Sequence, residues 1–171
     1  MSKKQDFKVK LIAEYACFLA LSMIVSYIET LLPVFIGIPG AKLGIANAVI
    51  VFALYRIGAK GAFCINLSRV LLCGLLFGNL YSMMYSLAGA MFSFIMMCLI
   101  RQIPAFGMIG VSISGGIMHN IAQLLLAVMI TKVPLLLYYV PILIIVGAIT
   151  GLLNGWIAQI IYKRTRKQID E

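Results

Sequence analysis

The sequence predicts an all-α membrane protein, a bundle of six transmembrane helices with the N- and C-termini cytoplasmic. Of its 171 residues, 63% are hydrophobic and only 11% are charged, whereas charged residues make up about 25% of soluble domains. A soluble domain of this length could not bury so much apolar surface. The apolar residues also form long runs with most basic residues between them, which is the pattern of membrane-spanning helices.

Each of six apolar runs predicts one helix, since a spanning helix needs about 20 mainly apolar residues. The first run is too long for the apolar core of a signal peptide and no small-residue cleavage site follows it, so we expect it to be retained. The second and third are short and tightly connected. The last is long and contains Pro134 and Pro141, so we expect it to tilt or kink. The predicted helices cover residues 10–32, 43–57, 61–77, 80–100, 106–130 and 134–162.

The distribution of positive charge supports this topology. With the N-terminus inside, eleven of the 14 Lys and Arg residues lie in cytoplasmic segments, Lys42 and Lys132 lie outside, and Arg69 remains in the membrane. An odd number of helices would place the two basic ends of the chain on opposite sides, against the positive-inside rule. We therefore predict a single integral membrane domain over residues 1–171, with basic cytoplasmic tails at residues 1–9 and 163–171.

The net charge of +9 is also consistent with a membrane protein. In a soluble protein it would suggest nucleic acid, but here the basic clusters lie between apolar runs. They indicate contact with the anionic headgroups of a lipid bilayer, and no nucleic-acid partner is expected. The predicted location is the cell membrane, which the chain crosses several times.

The longest irregular stretch, residues 32–44, lies outside and is both apolar and rich in helix breakers. It contains Pro33, Gly37, Pro39, Gly40 and Gly44. Such a segment is expected to fold back onto the bundle. A lid over a binding site and a packed connector are equally compatible with it.

Polar residues within membrane spans are costly and usually face the bundle interior. Arg69 is the most informative, because it lies about eight residues, roughly 12 Å, from either end of its helix. It needs an anion, either Glu29 or the carboxylate or phosphate of a ligand. The polar set extends from mid-membrane to the outer side, which favours a ligand pocket open to the outside, with hydrogen bonding between helices as the alternative. The candidate substrate-binding residues are Asn47, Arg69, Asn79, Ser82, His119 and Gln123.

Catalysis, metal binding and cofactors have little support in the sequence. The two aspartates, Asp6 and Asp170, lie in the tails, so there are no paired carboxylates to hold magnesium on a diphosphate. The single histidine and four cysteines without a CxxC pair predict no metal site. No GxxxxGK[ST] motif occurs, so an ATPase that powers this protein would be another chain. We expect a protein that is not an enzyme.

Small residues let membrane helices approach each other closely. On the first helix, Ala13, Ala16 and Ala20 form a small face toward the cytoplasmic half, with an AxxxA spacing. This face is the predicted docking site for a partner subunit. The last helix carries two GxxxG units in series, from Gly147 to Gly155, which we interpret as packing inside the bundle.

Two resemblances follow from these features. The six short helices, the AxxxA face and the apolar outer segment resemble the substrate-binding S components of energy-coupling factor (ECF) transporters. Four stretches resemble one membrane family, labelled Gx transporter or heptaprenyl diphosphate synthase component I. These stretches are residues 39–47 (PGAKLGIAN), 69–79, 85–89 (YSLAG) and 119–123 (HNIAQ).

The two labels imply different functions. The S-component resemblance implies a subunit that binds a small anionic, isoprenoid-like or vitamin-like ligand from outside. It would then dock through its alanine face on a transmembrane coupling protein driven by separate ATPase subunits. The synthase label implies a membrane partner of prenyl diphosphate or quinone metabolism, without a catalytic site of its own. A structural subunit without a ligand is a third interpretation.

Overall fold

The computed structural model describes residues 3–31 and 44–170, and these residues are helical except at short connections. The predicted outer segment, residues 32–44, therefore lies almost entirely outside the described residues, and the alternatives of lid and connector remain predictions. A 3₁₀ helix, Pro134–Tyr139, precedes the last α-helix. The six α-helices are α1 (Lys3–Leu31), α2 (Ala46–Arg56), α3 (Gly58–Phe77), α4 (Leu80–Ile100), α5 (Met108–Thr131) and α6 (Val140–Asp170).

The predicted all-helical membrane architecture is confirmed in its main features. Within the described ranges, five helical segments are long and apolar enough to cross a membrane, so the chain is a multi-pass membrane protein. Helix α2 is the exception, since its 11 residues extend over only about 16 Å at 1.5 Å per residue. A hydrocarbon core is about 30 Å thick. The sixth span therefore stays a prediction, as does the membrane side of the termini.

Helix α2 forms the centre of the bundle, where it contacts α1, α3, α5 and α6. Its residues Ile50, Val51, Ala53 and Leu54 are fully buried. A helix that is apolar all round and enclosed by other helices is a core element. Hydropathy alone gives a spanning helix and an enclosed helix the same signal.

Helices α5 and α6 approach each other closely through glycines, which confirms that the GxxxG series packs inside the bundle. A Cβ atom at Gly151 would lie 2.6 Å from the Cα of Ile113, and one at Gly155 would lie 2.8 Å from the Cα of Ile109. Backbone atoms occupy these positions and cannot move aside. The α5–α6 interface therefore requires small residues at these sites.

The first and last helices extend beyond their predicted bounds at the ends of the chain. Helix α1 begins at Lys3 and α6 continues to Asp170, so most residues of the two predicted tails belong to helices. The last predicted helix is divided by the 3₁₀ segment before α6. Pro141 lies in the first turn of α6, where its missing N–H would have no partner in the helix, so a proline is tolerated there.

One end of the bundle collects side chains that the topology predicts to be cytoplasmic. Arg56 and Glu14 form an ion pair at 3.1 Å, and the guanidinium of Arg101 lies 4.9 Å from the ring centre of Tyr55. The ring of Tyr162 lies 6.2 Å from that of Tyr55. The beginning of α1 and the ends of α2, α4 and α6 thus meet at this end, called here the basic end.

Candidate ligand-binding site

A cavity of about 90 Å³, partly open, lies at the opposite end of the bundle from the basic end. The last turns of α1, the start of α2, the second half of α3, the first turns of α4 and the middle of α5 form its walls. Thr30 and Gly44, which flank the segment outside the described residues, both line it. We call this space the outer cavity. Because one water molecule needs about 10–15 Å³, the space suits a compact polar group.

Arg69 forms one wall of the outer cavity and is only 7% exposed. Its Nη1 donates to the hydroxyl of Ser26 on α1 at 3.3 Å. Its Nη2 donates to the side-chain carbonyls of Asn66 at 2.9 Å and of Asn47 at 3.4 Å. A single guanidinium group thereby links three helices near the middle of the bundle.

Asn66 positions this arginine. It lies one helical turn before Arg69 on α3, so the two side chains share a face. Its Nδ2 donates to the backbone carbonyl of Ala90 on α4 at 3.3 Å, which leaves its Oδ1 for Arg69. The orientation of the guanidinium is therefore set by a buried amide and not by snorkelling toward a membrane surface.

Arg69 has more donors than these contacts use. A guanidinium carries five N–H donors, and three hydrogen bonds, all to neutral oxygens, are formed. Its Nε is buried without a hydrogen-bond partner among the described residues. A buried cation with unused donors is costly, and an anion close to it would lower that cost.

Glu29 gives the outer cavity negative charge as well. Its carboxylate accepts a hydrogen bond from the backbone N–H of Ile45, which fixes the approach to α2. It also acts on Arg69 by electrostatic attraction. Arg69 and Glu29 thus line the same cavity. The acceptors of the three hydrogen bonds from Arg69 are neutral side chains.

His119 lies on the cavity wall contributed by α5. Its ring occupies the place where a side chain at residue 89 would be, because a Cβ at Gly89 would lie 2.7 Å from the Cε1 of His119. The glycine on α4 is therefore needed for this ring position. Ser82 and Ser86 complete the polar part of the wall from the first turns of α4.

A second, smaller space of about 10 Å³ lies behind the outer cavity, between α2, α4, α5 and α6. We call it the inner chamber. Gly44, Asn47 and His119 line both spaces. Asn154 on α6 donates to the carbonyl of Gly44 at 2.8 Å. Gly44 has a φ of +66°, a left-handed conformation that favours glycine.

The structure brings most of the predicted substrate-binding residues together. Asn47, Arg69, Ser82 and His119 line the outer cavity. Asn79 is exposed, and its side chain caps α4 by accepting a hydrogen bond from the N–H of Ser82 at 2.8 Å. Gln123 is buried, at 7% exposure, but it is not among the residues that line either space.

Sequence reasoning missed several residues of the site. Ser26 bonds to Arg69, and Asn154 borders the inner chamber, whereas Asn66 was expected on the same helix face as Arg69 but not as part of the binding site. Asn154 is a polar residue inside an apolar run, so the cost of such residues in membranes was a signal that could have identified it. Ser26 gave no comparable signal, since a lone serine can bond to its own helix.

The predicted docking face on α1 points away from the bundle. Ala13, Ala16 and Ala20 are all exposed, whereas the neighbouring Phe18 is buried against the core. Their accessibility is what docking requires, and docking itself stays a prediction. Among the residues with described side chains, no three His, Cys, Asp or Glu side chains come close enough to hold a metal ion.

Comparison with known proteins identifies a family for this chain. The family model described as "Heptaprenyl diphosphate synthase component I" matches residues 18–161. The matched stretch contains both the outer cavity and the inner chamber. No curated protein and no solved structure matches the chain.

Proposed function

This chain belongs to the heptaprenyl diphosphate synthase component I family, and on that premise we propose that it is the substrate-binding membrane subunit of an ECF-type uptake transporter. Its ligand would be a small anionic molecule. The observation that supports this most strongly is Arg69, a buried cation on the wall of an open cavity, with an Nε that has no hydrogen-bond partner among the described residues. A ligand carboxylate or phosphate would supply the missing acceptor.

The position of the cavity supports uptake from outside. It lies at the end of the bundle opposite Arg56 and Arg101, which the positive-inside rule assigns to the cytoplasm. A ligand would bind between Arg69 and the polar groups of Asn47, Ser82 and His119. The space is smaller than the roughly 300–1,000 Å³ of typical drug-sized pockets, so it suits the charged part of a small ligand.

Transport would need other chains. The alanine face of α1 would dock on a transmembrane coupling protein, and separate ATPase subunits would supply the energy. The exposure of Ala13, Ala16 and Ala20 supports this role, because small residues let the backbones of two membrane helices approach closely. This chain would contribute ligand binding and no catalytic group.

The family description favours a second candidate, a membrane partner of prenyl diphosphate or quinone metabolism without a catalytic site of its own. A diphosphate is also an anion that Arg69 could bind. A long prenyl tail would not fit within the cavity of about 90 Å³ and would have to lie outside it. This candidate therefore predicts that only the head group of the lipid enters.

Partner identification separates the two candidates. We expect the chain, purified gently from its own host, to carry a coupling protein and ATPase subunits identified by mass spectrometry. Ala16→Leu should reduce their recovery about tenfold, because a leucine on the small face holds the helices apart. Cys64→Leu is the matched control, since Cys64 is exposed on α3. Recovery of a prenyl transferase in their place, unaffected by Ala16→Leu, would reject the transporter proposal.

A further inference from the structure

The inner chamber adds a second polar compartment behind the outer cavity. Asn47 and His119 form part of both walls, so the two spaces are separated by little more than these side chains. Four further polar residues of the inner chamber are almost fully buried. These are Ser93, Ser112, Asn120 and Asn154.

These four residues offer hydrogen-bond acceptors to the chamber. Asn120 donates through Nδ2 to the carbonyl of Leu143 at 3.1 Å, and Asn154 donates through Nδ2 to the carbonyl of Gly44 at 2.8 Å. Each amide thereby uses one of its two N–H donors, while its Oδ1 accepts no hydrogen bond within the described part of the chain. The hydroxyls of Ser93 and Ser112 can accept as well.

The two compartments differ in charge. The outer cavity presents the charged groups of Arg69 and Glu29, and Arg69 can only donate hydrogen bonds, whereas the inner chamber presents amide oxygens and hydroxyls without a formal charge. An anion suits the first and a hydrogen-bond donor suits the second. An apolar group in the inner chamber would leave buried acceptors without partners, which is costly.

The volume of the inner chamber limits what can enter. Its 10 Å³ is about the space for one water molecule. It therefore has room for one terminal polar group and no room for a hydrocarbon chain.

We propose that the ligand is a short molecule with an anionic group at Arg69 and a terminal hydroxyl or amine group that donates hydrogen bonds in the inner chamber. This inference rests on the proposed function and narrows its substrate class. It excludes molecules that have an anionic head and only an apolar tail. The chain thus selects its ligand by two groups of opposite hydrogen-bonding character.

Matched pairs of small probes test this class. In each pair the members differ only in the terminal group: γ-hydroxybutyrate against valerate, and phosphoethanolamine against propyl phosphate. Stabilisation of the purified protein against thermal unfolding would be titrated with each probe. We expect the hydroxyl or amine member to reach half-maximal stabilisation at about tenfold lower concentration than the methyl member.

Variants of the chamber show where this preference arises. The double variant Ser93→Ala, Ser112→Ala removes two acceptors without adding volume and should lessen the preference severalfold. Ser114→Ala is the matched control on α5, because the Ser114 hydroxyl donates to its own helix at Val111, 2.8 Å away. It should leave the preference unchanged.

Three results would overturn the inference: equal or tighter binding of the methyl members, a preference that survives the double variant, or no stabilisation by any probe. The first two, with binding still dependent on Arg69, would leave the proposed function standing. Failure of the proposed function would appear separately, as the absence of a coupling protein and ATPase subunits from the purified complex.

Discussion

The arginines at the two ends of the bundle differ in burial and in the partners that they contact. At the basic end, Arg56 pairs with Glu14 at 3.1 Å and Arg101 lies over the ring of Tyr55, and both arginines are open to solvent. At the cavity end, Arg69 is buried, bonds only neutral oxygens and has an Nε without a hydrogen-bond partner among the described residues. The two arginines at the basic end have partners among nearby side chains. Arg69 at the cavity end has an N–H donor to which an external anion would bind.

Replacing the cavity arginine should have the largest effect on anion binding. Arg69→Gln removes the charge and the unused donors but keeps an amide near Asn66, so we expect affinity for inorganic phosphate to fall about 100-fold. Arg101→Gln at the basic end is the matched control and should leave the affinity unchanged. The measurement is the phosphate concentration that gives half-maximal thermal stabilisation of the purified protein.

A different outcome would assign Arg69 to structure. If Arg69→Gln and Glu29→Gln unfolded the protein to the same degree, and phosphate stabilised the wild type no better than chloride at equal ionic strength, the two residues would be a structural charge pair. The contrast between the two ends would then disappear.

A smaller effect is expected from moving His119. Gly89→Ala places a methyl group against the imidazole ring, whose Cε1 would lie 2.7 Å away, so the ring must shift within the site. We expect phosphate affinity to fall about tenfold, because the displaced ring changes the wall of the cavity in which the anion would bind. Gly107→Ala is the control, because a Cβ there meets nothing within 4 Å. Equal affinity in both variants would remove His119 from the binding site.

The smallest effect is expected at the basic end. Glu14→Gln breaks the ion pair with Arg56. The side chain of Arg56 is 36% exposed and that of Glu14 is 35% exposed. Exposed pairs contribute about 0.2–1 kcal/mol, so the free energy of unfolding should fall by no more than this, and high salt should abolish the difference. A larger loss, or any change in phosphate affinity, would show that the two ends are not independent.

Much of the fold could be predicted because membrane insertion imposes strong patterns on a sequence. The all-helical architecture and the bounds of α4 follow from the lengths of apolar runs, and the basic end follows from charge placement. The sequence does not decide whether α2 spans the membrane, because burial by protein and burial by lipid select the same residues. The 3₁₀ segment at Pro134–Tyr139 depends on local geometry that hydropathy does not report.

The site could be predicted in part. Arg69 stands out because a charge in the membrane is costly, and Asn47, Ser82 and His119 join it as predicted. Asn79 caps α4, and its place just before that helix was the signal for this role; its predicted part in substrate binding stays a prediction. The inner chamber depends on how α4, α5 and α6 are rotated against each other, which a single sequence does not specify.

The central claim is that Arg69 binds an anion supplied by a ligand. Its most direct test is native mass spectrometry of the protein purified gently from its own host, followed by release and identification of any bound molecule. We predict a stoichiometric small anion that is retained by Arg101→Gln and lost from Arg69→Gln. Wild-type protein that carries no small molecule, or a bound molecule that Arg69→Gln retains in full, would contradict the account.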